Sequence, residues 1–360
     1  MADCLAAVIT DFNRELELSR VPLPELAPAS VLIRVDAATL CGTDAHRWQG
    51  HLRAATPFVP GHETCGAIVE MRGELRDILG EPLKVGDRII SSYPHCGHCY
   101  YCRVARQTSL CPHVIVFGSS KPSALLGGCA EYHYFPPGGT LIRIPDDVPS
   151  PLAASAACAL RTVMHGYEQL GPVESHETVL VLGSGPLGLY SLAVARDRGA
   201  RKVLMIGAPD VRLAVAREWG ADDVLDLDAT PDVNHRIAWV REHTDGRGAD
   251  IVFQCATSAV VAEGLEMARP GGRLVSIGVG GGPVTLSPMI FFKQVRINGV
   301  AMAEARHFYQ AIDFLATRRR QFTFDRIISG TYTLDKATEA LRKMAAFQEV
   351  KPLILPRVSS

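Results

Sequence analysis

The sequence predicts an α/β protein in two parts, a β-rich unit of bent strands followed by a parallel sheet covered by helices on both faces. Three observations carry that expectation. The first 150 residues hold short alternating runs punctuated by Gly and Pro, the mark of half-buried strands joined by turns. From about residue 155 the strands become continuous apolar runs separated by helix-length segments, as a sheet buried on both faces requires. The length of 360 residues exceeds one ordinary core and makes two domains the expectation.

In chain order, "VLIRVDAATL" alternates Ile33, Val35 and Ala37 with Arg34 and Asp36, which predicts a half-buried strand. "KVGDRIISSYP" and "GGCAEYHYF" predict two more. "TVLVL", "KVLMIG", "DVLDL", "DIVFQCA" and "RLVSIG" then give the buried strands of the second unit. A helix follows over 305–317, a β-like stretch over "FDRIISGTYTL", a helix opened by Asp335, and a closing "KPLILP". Chain crossings between the units are expected near residues 155 and 300.

Composition excludes several partners. Hydrophobic residues make up 47% and charged residues 21%, with a net charge of -1. Such a balance offers no field for nucleic acid or an anionic membrane surface. No run reaches the roughly 20 apolar residues of a membrane span. The opening "MADCLAAVITDF" has an acid at Asp3 and no basic flank, so it does not read as an export signal. The chain is therefore expected in the cytoplasm, where its ten cysteines would stay reduced.

"VLVLGSGPLG" places Gly183, Gly185 and Gly188 in a G-x-G-x-x-G pattern, with Pro186 and Leu187 inside it, between an apolar strand and a helix. The glycines allow a tight turn, close approach of the backbone to a pyrophosphate, and close packing of helix on sheet. The helix N-terminus adds free N–H groups for the phosphates. An acid usually ends the next strand and bonds the ribose of NAD; here Gly207 stands there. Its lack of a carboxylate, with Arg212 one turn on, leans slightly towards NADP. Ala208, Pro209 and Asp210 add nothing for a phosphate.

Two stretches concentrate metal-seeking side chains. "CGHCYYCRVARQTSLC" sets Cys96, Cys99, Cys102 and Cys111 in a C-x2-C-x2-C-x8-C run, which suits a closed tetrahedral zinc. An iron–sulfur cluster and a disulfide pair are the other uses of four such cysteines; His95, His98 and His113 read as loop residues. "CGTDAHRWQGHLRAATPFVPGHETCG", residues 41–66, holds two Cys and three His beside Thr43, Asp44 and Glu63. It reads either as a small core with surface histidines or as part of a reactive zinc site.

Taken together, Cys41, the "GHE" of Gly61–Glu63, the four-cysteine run and "GSGPLG" resemble the zinc-dependent alcohol dehydrogenases of the medium-chain dehydrogenase/reductase superfamily, over nearly the whole chain. The resemblance implies a GroES-like catalytic domain over 1–157 and 301–360, with a structural-zinc lobe at about 94–113. It also implies a Rossmann NAD(P)-binding domain over 158–300. It implies two zinc ions per chain, a structural one on the lobe cysteines and a catalytic one on Cys41, His62 and Cys158. Glu63 would lie beside the catalytic metal, exchanging with water as a ligand, and Asp44 would orient His62. Cys158 also fits an ordinary buried cysteine. Thr43 and His46 would relay the alcohol proton towards solvent by way of the cofactor ribose; a surface position is the other reading of His46. Thr162 would lie near the nicotinamide and Lys351 at the pyrophosphate. Trp48 and Ser92 would line the substrate pocket, although an aromatic at position 48 fits the core equally well. Two departures stand out: eight residues precede the fourth lobe cysteine where the family usually has seven, and Gly42 replaces a basic residue found in some members.

The implied function is hydride transfer between a small-molecule alcohol, or the matching aldehyde or ketone, and NAD(P), in a homo-oligomer. A polyol, amino-alcohol or threonine-type dehydrogenase is the alternative within the family. A non-catalytic zinc- and nucleotide-binding regulator or scaffold is the alternative of another class.

Overall fold

The computed structural model describes residues 3–278, 280 and 282–356. It divides into two compact units: Met1–Arg161 with Ala303–Arg320 and Phe324–Ser360, and Thr162–Met302 with Gln321–Thr323. The chain thus leaves the first unit at Arg161, inside a helical stretch, and re-enters it at Ala303.

The first unit is built on a seven-stranded sheet. Its main path runs Ile328–Tyr332, Lys351–Ile354, Ser30–Thr39, Glu63–Arg72, Arg88–Ser91 and Leu141–Arg143, with Tyr132–Phe135 also pairing Ser30–Thr39. All pairs are antiparallel except Ile328–Tyr332 with Lys351–Ile354. A separate ribbon joins Asp3–Val8 to Glu17–Pro22. The alternation read in "VLIRVDAATL" appears in the strand Ser30–Thr39, where Arg34 is exposed and Ile33 and Val35 are buried. Register matters for function here: Thr39 lies opposite Glu63 on one side and opposite Leu353 on the other.

The second unit is a six-stranded sheet in the order Asp223–Asp226, Lys202–Gly207, Thr178–Leu182, Ala249–Gln254, Ala268–Ser276, Arg296–Gly299. Every pairing is parallel. Helices Pro186–Asp197, Asp210–Glu218, Val233–Glu242 and Val261–Met267 connect the strands. All five residues of Thr178–Leu182 are buried, as the unbroken apolar run requires. Strand order reverses beside this strand, so its C-terminal end is the place where such sheets bind ligands.

The helix expected to open at Asp335 is a 3-10 turn, Leu334–Lys336, running into the helix Ala337–Ala345. Thr333 sits at the N-cap position and its hydroxyl bonds the Asp335 carboxylate. The helix expected over 305–317 runs Ala305–Arg318. No helix among the described residues is long and apolar enough to cross a membrane.

Candidate metal centres and nucleotide cradle

The paired strands Ser30–Thr39 and Glu63–Arg72 end together and set up the first cluster. Cys41 follows one strand by two residues and His62 immediately precedes the other. Cys158 arrives from a π-helical stretch, Ala156–Leu160, between two α-helical segments; such bulges recur at functional sites. The donor atoms of Cys41, His62, Glu63 and Cys158 all lie within 4.8 Å of one another. Cys41 Sγ is 3.4 Å from His62 Nε2, close to the ~3.5 Å that one tetrahedral zinc would impose on a sulfur and a nitrogen at ordinary bond lengths.

Asp44 fixes this geometry. It is fully buried, its Oδ1 lies 3.1 Å from His62 Nδ1, and it accepts from Gly61 N at 3.1 Å and Cys41 N at 3.0 Å. An Nδ1–H on Asp44 leaves the lone pair of Nε2 for a metal. Cys158 hydrogen-bonds Cys41, which holds the Cys41 thiol well below its usual range and pushes Cys158 up. Glu63 is fully buried. Burial raises its carboxyl to about 7, against the pull of Lys351. Lys351 Nζ donates to both carboxylate oxygens, at 2.7 and 2.5 Å, and the Thr39 hydroxyl donates to Oε2.

Lys351 is bonded within the first unit. The resemblance sent it to a pyrophosphate; the structure buries its ammonium completely against Glu63. Burial pulls its pKa down, but the neighbouring Glu63 carboxylate and the thiols outweigh that and hold it above the usual lysine value. Two expected pocket residues are also committed elsewhere. Trp48 packs in the hydrophobic core of the first unit and donates its Nε1–H to Arg14 O at 2.8 Å. Ser92 is buried and its hydroxyl accepts from Thr140 N at 2.8 Å.

Thr43 and His46 both lie on the helix Gly42–Trp48, which Cys41 caps through its sulfur and Asp44 through its carboxylate. Both are partly exposed, and His51 stands beside His46 with ring centroids 6.0 Å apart.

The second cluster comes from one short loop. Cys96, Cys99, Cys102 and Cys111 have sulfurs 3.5 to 3.9 Å apart. Four sulfurs about 2.3 Å from one zinc would stand about 3.8 Å apart at tetrahedral corners. Disulfide sulfurs are about 2.05 Å apart, and all ten cysteines are free. His95, His98 and His113 stay outside the cluster.

In the second unit, Gly183 has φ +104°, and a Cβ on Gly188 would stand 1.8 Å from the Gly183 carbonyl oxygen. A Cβ on Gly185 would meet nothing within 4 Å, so backbone there is open to a ligand. Pro186 begins the helix Pro186–Asp197 with Leu187 beside it, and neither caps it through a side chain. A tight glycine turn leading into a helix N-terminus is the arrangement that suits a dinucleotide pyrophosphate. At Gly207 packing adds a second constraint beside the missing carboxylate. A Cβ there would meet Ser184 Oγ at 2.5 Å and Ser184 N at 2.8 Å, so packing excludes a side chain whatever the cofactor. Arg212 lies in the first turn of Asp210–Glu218 and is buried. Thr162, at the start of the second unit, is buried as well.

Comparison with known proteins agrees with both halves. The profile described as alcohol dehydrogenase GroES-like domain matches residues 27–146, and the one described as zinc-binding dehydrogenase matches 186–317. The 5-exo-hydroxycamphor dehydrogenase of Pseudomonas putida is 32% identical over 357 residues, covering 97% of this chain and 98% of its own. An L-threonine 3-dehydrogenase of Thermococcus kodakarensis is 29% identical, covering 94% of each. An alcohol dehydrogenase structure from Thermotoga maritima superposes with a TM-score of 0.92 at 29% identity, over 99% of this chain and 100% of that one. The chain belongs to the zinc-dependent alcohol dehydrogenase family, within the medium-chain dehydrogenase/reductase superfamily. It is an oxidoreductase of CH–OH donors, moving hydride between an alcohol, or its aldehyde or ketone, and NAD(P).

Proposed function

We propose that the chain carries two zinc ions with separate tasks and oxidises secondary alcohols with NADP at least as well as with NAD. The carrying observation is the pairing of an open donor set with a closed one. Both clusters bring four donors together. In the first, the Glu63 carboxylate is already bonded by Lys351 and Thr39, so Cys41, His62 and Cys158 would leave the fourth position to substrate. The lobe supplies four thiolates and leaves none. Zinc in the open set supplies a Lewis acid that polarises the substrate oxygen. The chain's own residues do the rest. Asp44 holds the His62 tautomer. Lys351 and Thr39 hold Glu63 beside the donors, where it serves as an alternative ligand. Thr43 would accept the alcohol proton on its hydroxyl while giving up its own towards the cofactor ribose, and His46, partly exposed, would pass a proton from there to solvent.

The cofactor would lie on Gly183, Gly185 and Gly188, with its phosphates at the N-terminus of Pro186–Asp197 and its nicotinamide near Thr162. The case for NADP rests on Gly207, where no carboxylate stands to repel a 2′-phosphate, and on Arg212 one turn on. A protein of Sinorhizobium meliloti described as a zinc-binding dehydrogenase bound to NADP is 29% identical, with a TM-score of 0.86 over 99% of this chain and 100% of that one. Secondary alcohols are favoured because 5-exo-hydroxycamphor and C3 of L-threonine both bear that group, and the relatives named for them match this chain nearly end to end. A cytoplasmic homo-oligomer fits the ten free cysteines and the exposed Phe291 and Phe292 near the edge strand Arg296–Gly299.

A spectrophotometric screen of secondary and primary alcohols with both cofactors tests this reading. The expected result is turnover of secondary alcohols with NADP, and an Arg212→Ala variant that loses more with NADP than with NAD. Strict use of NAD, with Arg212→Ala affecting both cofactors equally, would contradict the cofactor assignment.

A further inference from the structure

Glu304 is far from the lobe in sequence, yet its carboxylate accepts four hydrogen bonds from it. It is 6% exposed. Oε2 accepts from Thr108 N at 3.0 Å and from the Thr108 hydroxyl; Oε1 accepts from Ser109 N at 3.0 Å and the Ser109 hydroxyl at 2.6 Å. Burial alone would raise its pKa, but these four donors outweigh it and hold the carboxyl below its ordinary value. Its backbone is fixed too, since Glu304 N–H donates to His307 Nδ1 at 3.0 Å and the residue caps the helix Ala305–Arg318.

The bonded residues open the turn that delivers the last lobe cysteine. Thr108–Leu110 is a single 3-10 turn, closed by Cys111 N–H on Thr108 O at 3.1 Å. Cys111 Sγ then stands 3.5 Å from Cys96 and 3.8 Å from Cys99. Eight residues separate Cys102 from Cys111, a loop long enough to take many conformations. Within the 3-10 turn itself, neither Thr108 N–H nor Ser109 N–H has a helical partner, because first-turn donors never do. Glu304 supplies partners for both, and for the two hydroxyls.

We propose that Glu304 is a positioning residue for the lobe metal: it fixes the turn that presents Cys111, and it ties metal retention in the lobe to the helix Ala305–Arg318. The inference rests on the lobe being a zinc site. Glu304→Gln keeps the shape but places an amide N–H₂ against donors at Thr108 or Ser109, so one half of the clamp is lost. Groups that bond a metal ligand directly change affinity by roughly 10–100-fold when mutated; Glu304 acts through the turn that carries the ligand, which sets the expectation at about tenfold.

The test follows zinc release from the purified holoenzyme into the chromogenic chelator 4-(2-pyridylazo)resorcinol, beside total zinc by mass spectrometry and loss of activity. Release that tracks activity reports the catalytic cluster; the remaining release reports the lobe. Glu304→Gln should speed the lobe phase by about tenfold, leaving the catalytic phase and the starting kcat/KM unchanged. Thr108→Val with Ser109→Ala attacks the clamp from the lobe side and leaves the cap of Ala305–Arg318 intact. It should speed the same phase, and adding Glu304→Gln should bring little more. A lobe phase within twofold of wild type in both variants, even with a lowered Tm, would overturn the proposal and leave Glu304 a helix cap. Wild type holding only the activity-linked zinc would overturn the lobe reading itself, and the clamp with it.

Discussion

The two donor clusters of the first unit solve one coordination problem in opposite ways. The lobe draws four cysteines from 16 consecutive residues, 96–111, on a loop with one short helix, Tyr100–Arg103, and one 3-10 turn. The other cluster gathers Cys41, His62, Glu63 and Cys158 from the ends of two sheet strands and from a π-helical stretch. A loop with little apolar core of its own depends on its metal for shape. Donors held by a sheet depend on the fold instead, and their metal is free for chemistry. In the proposed division of labour, contiguity marks the structural site and dispersion the reactive one.

Substituting one cysteine in each cluster attacks that contrast most strongly. Cys41→Ser should cost about 10³-fold or more in kcat/KM, since Lewis-acid stabilisation is worth several kcal/mol. Its Tm should fall little, because Asp44 and the strand ends keep their bonds. Cys99→Ser should do the reverse, lowering Tm and shortening the half-life on heating, with activity per folded molecule nearly kept. Paired measurements of kcat/KM and Tm decide it; losses of equal kind in both variants would erase the contrast.

A smaller effect is expected from Asp44→Asn, which keeps the shape and removes the charge facing His62 Nδ1. Zinc affinity of the dispersed cluster should drop roughly 10–100-fold, with the lobe unaffected. Competition with a chelator, read as activity regained on adding zinc, measures it. An unchanged affinity would mean that the sheet alone fixes His62.

An effect confined to acid pH separates metal loss from ordinary acid sensitivity. His133 is fully buried, neither ring nitrogen has a hydrogen-bond partner, and Phe117 and Phe135 pack against it. Burial lowers its pKa to about 3, against about 6.5 in an unfolded chain. A depressed folded pKa means that its stability contribution is complete above about pH 6.5 and is lost as the pH falls towards 3. Each pH unit in that window costs up to ~1.4 kcal/mol. His133→Leu should flatten the fall of Tm between pH 6.5 and 4.5. A slope identical to wild type would assign the acid sensitivity to the clusters alone.

What the sequence made legible follows the same division. The lobe could be read directly, because its four donors lie on one short stretch. The nucleotide cradle was equally plain, since strand, glycines and helix are consecutive. Partners set by sheet register were invisible: Lys351 reaches Glu63 across 288 positions only because Thr39 pairs with both Glu63 and Leu353. Glu304 is hidden for the same reason, 196 positions from Thr108. For Trp48 the sequence leaves pocket and core open, because a motif does not say which way a side chain faces; the structure packs it in the core of the first unit. At Gly207 the sequence shows a missing carboxylate, but not the close packing on Ser184 that leaves no room for a side chain.

The most direct test of the two-site account is a graded chelation of the purified enzyme, with zinc content, activity and Tm followed on the same samples. The account predicts two zinc ions per chain at the start. Loss of one should abolish activity with Tm nearly unchanged, and loss of the other should lower Tm. A single zinc per chain, or activity and Tm falling together in proportion to zinc removed, would contradict it.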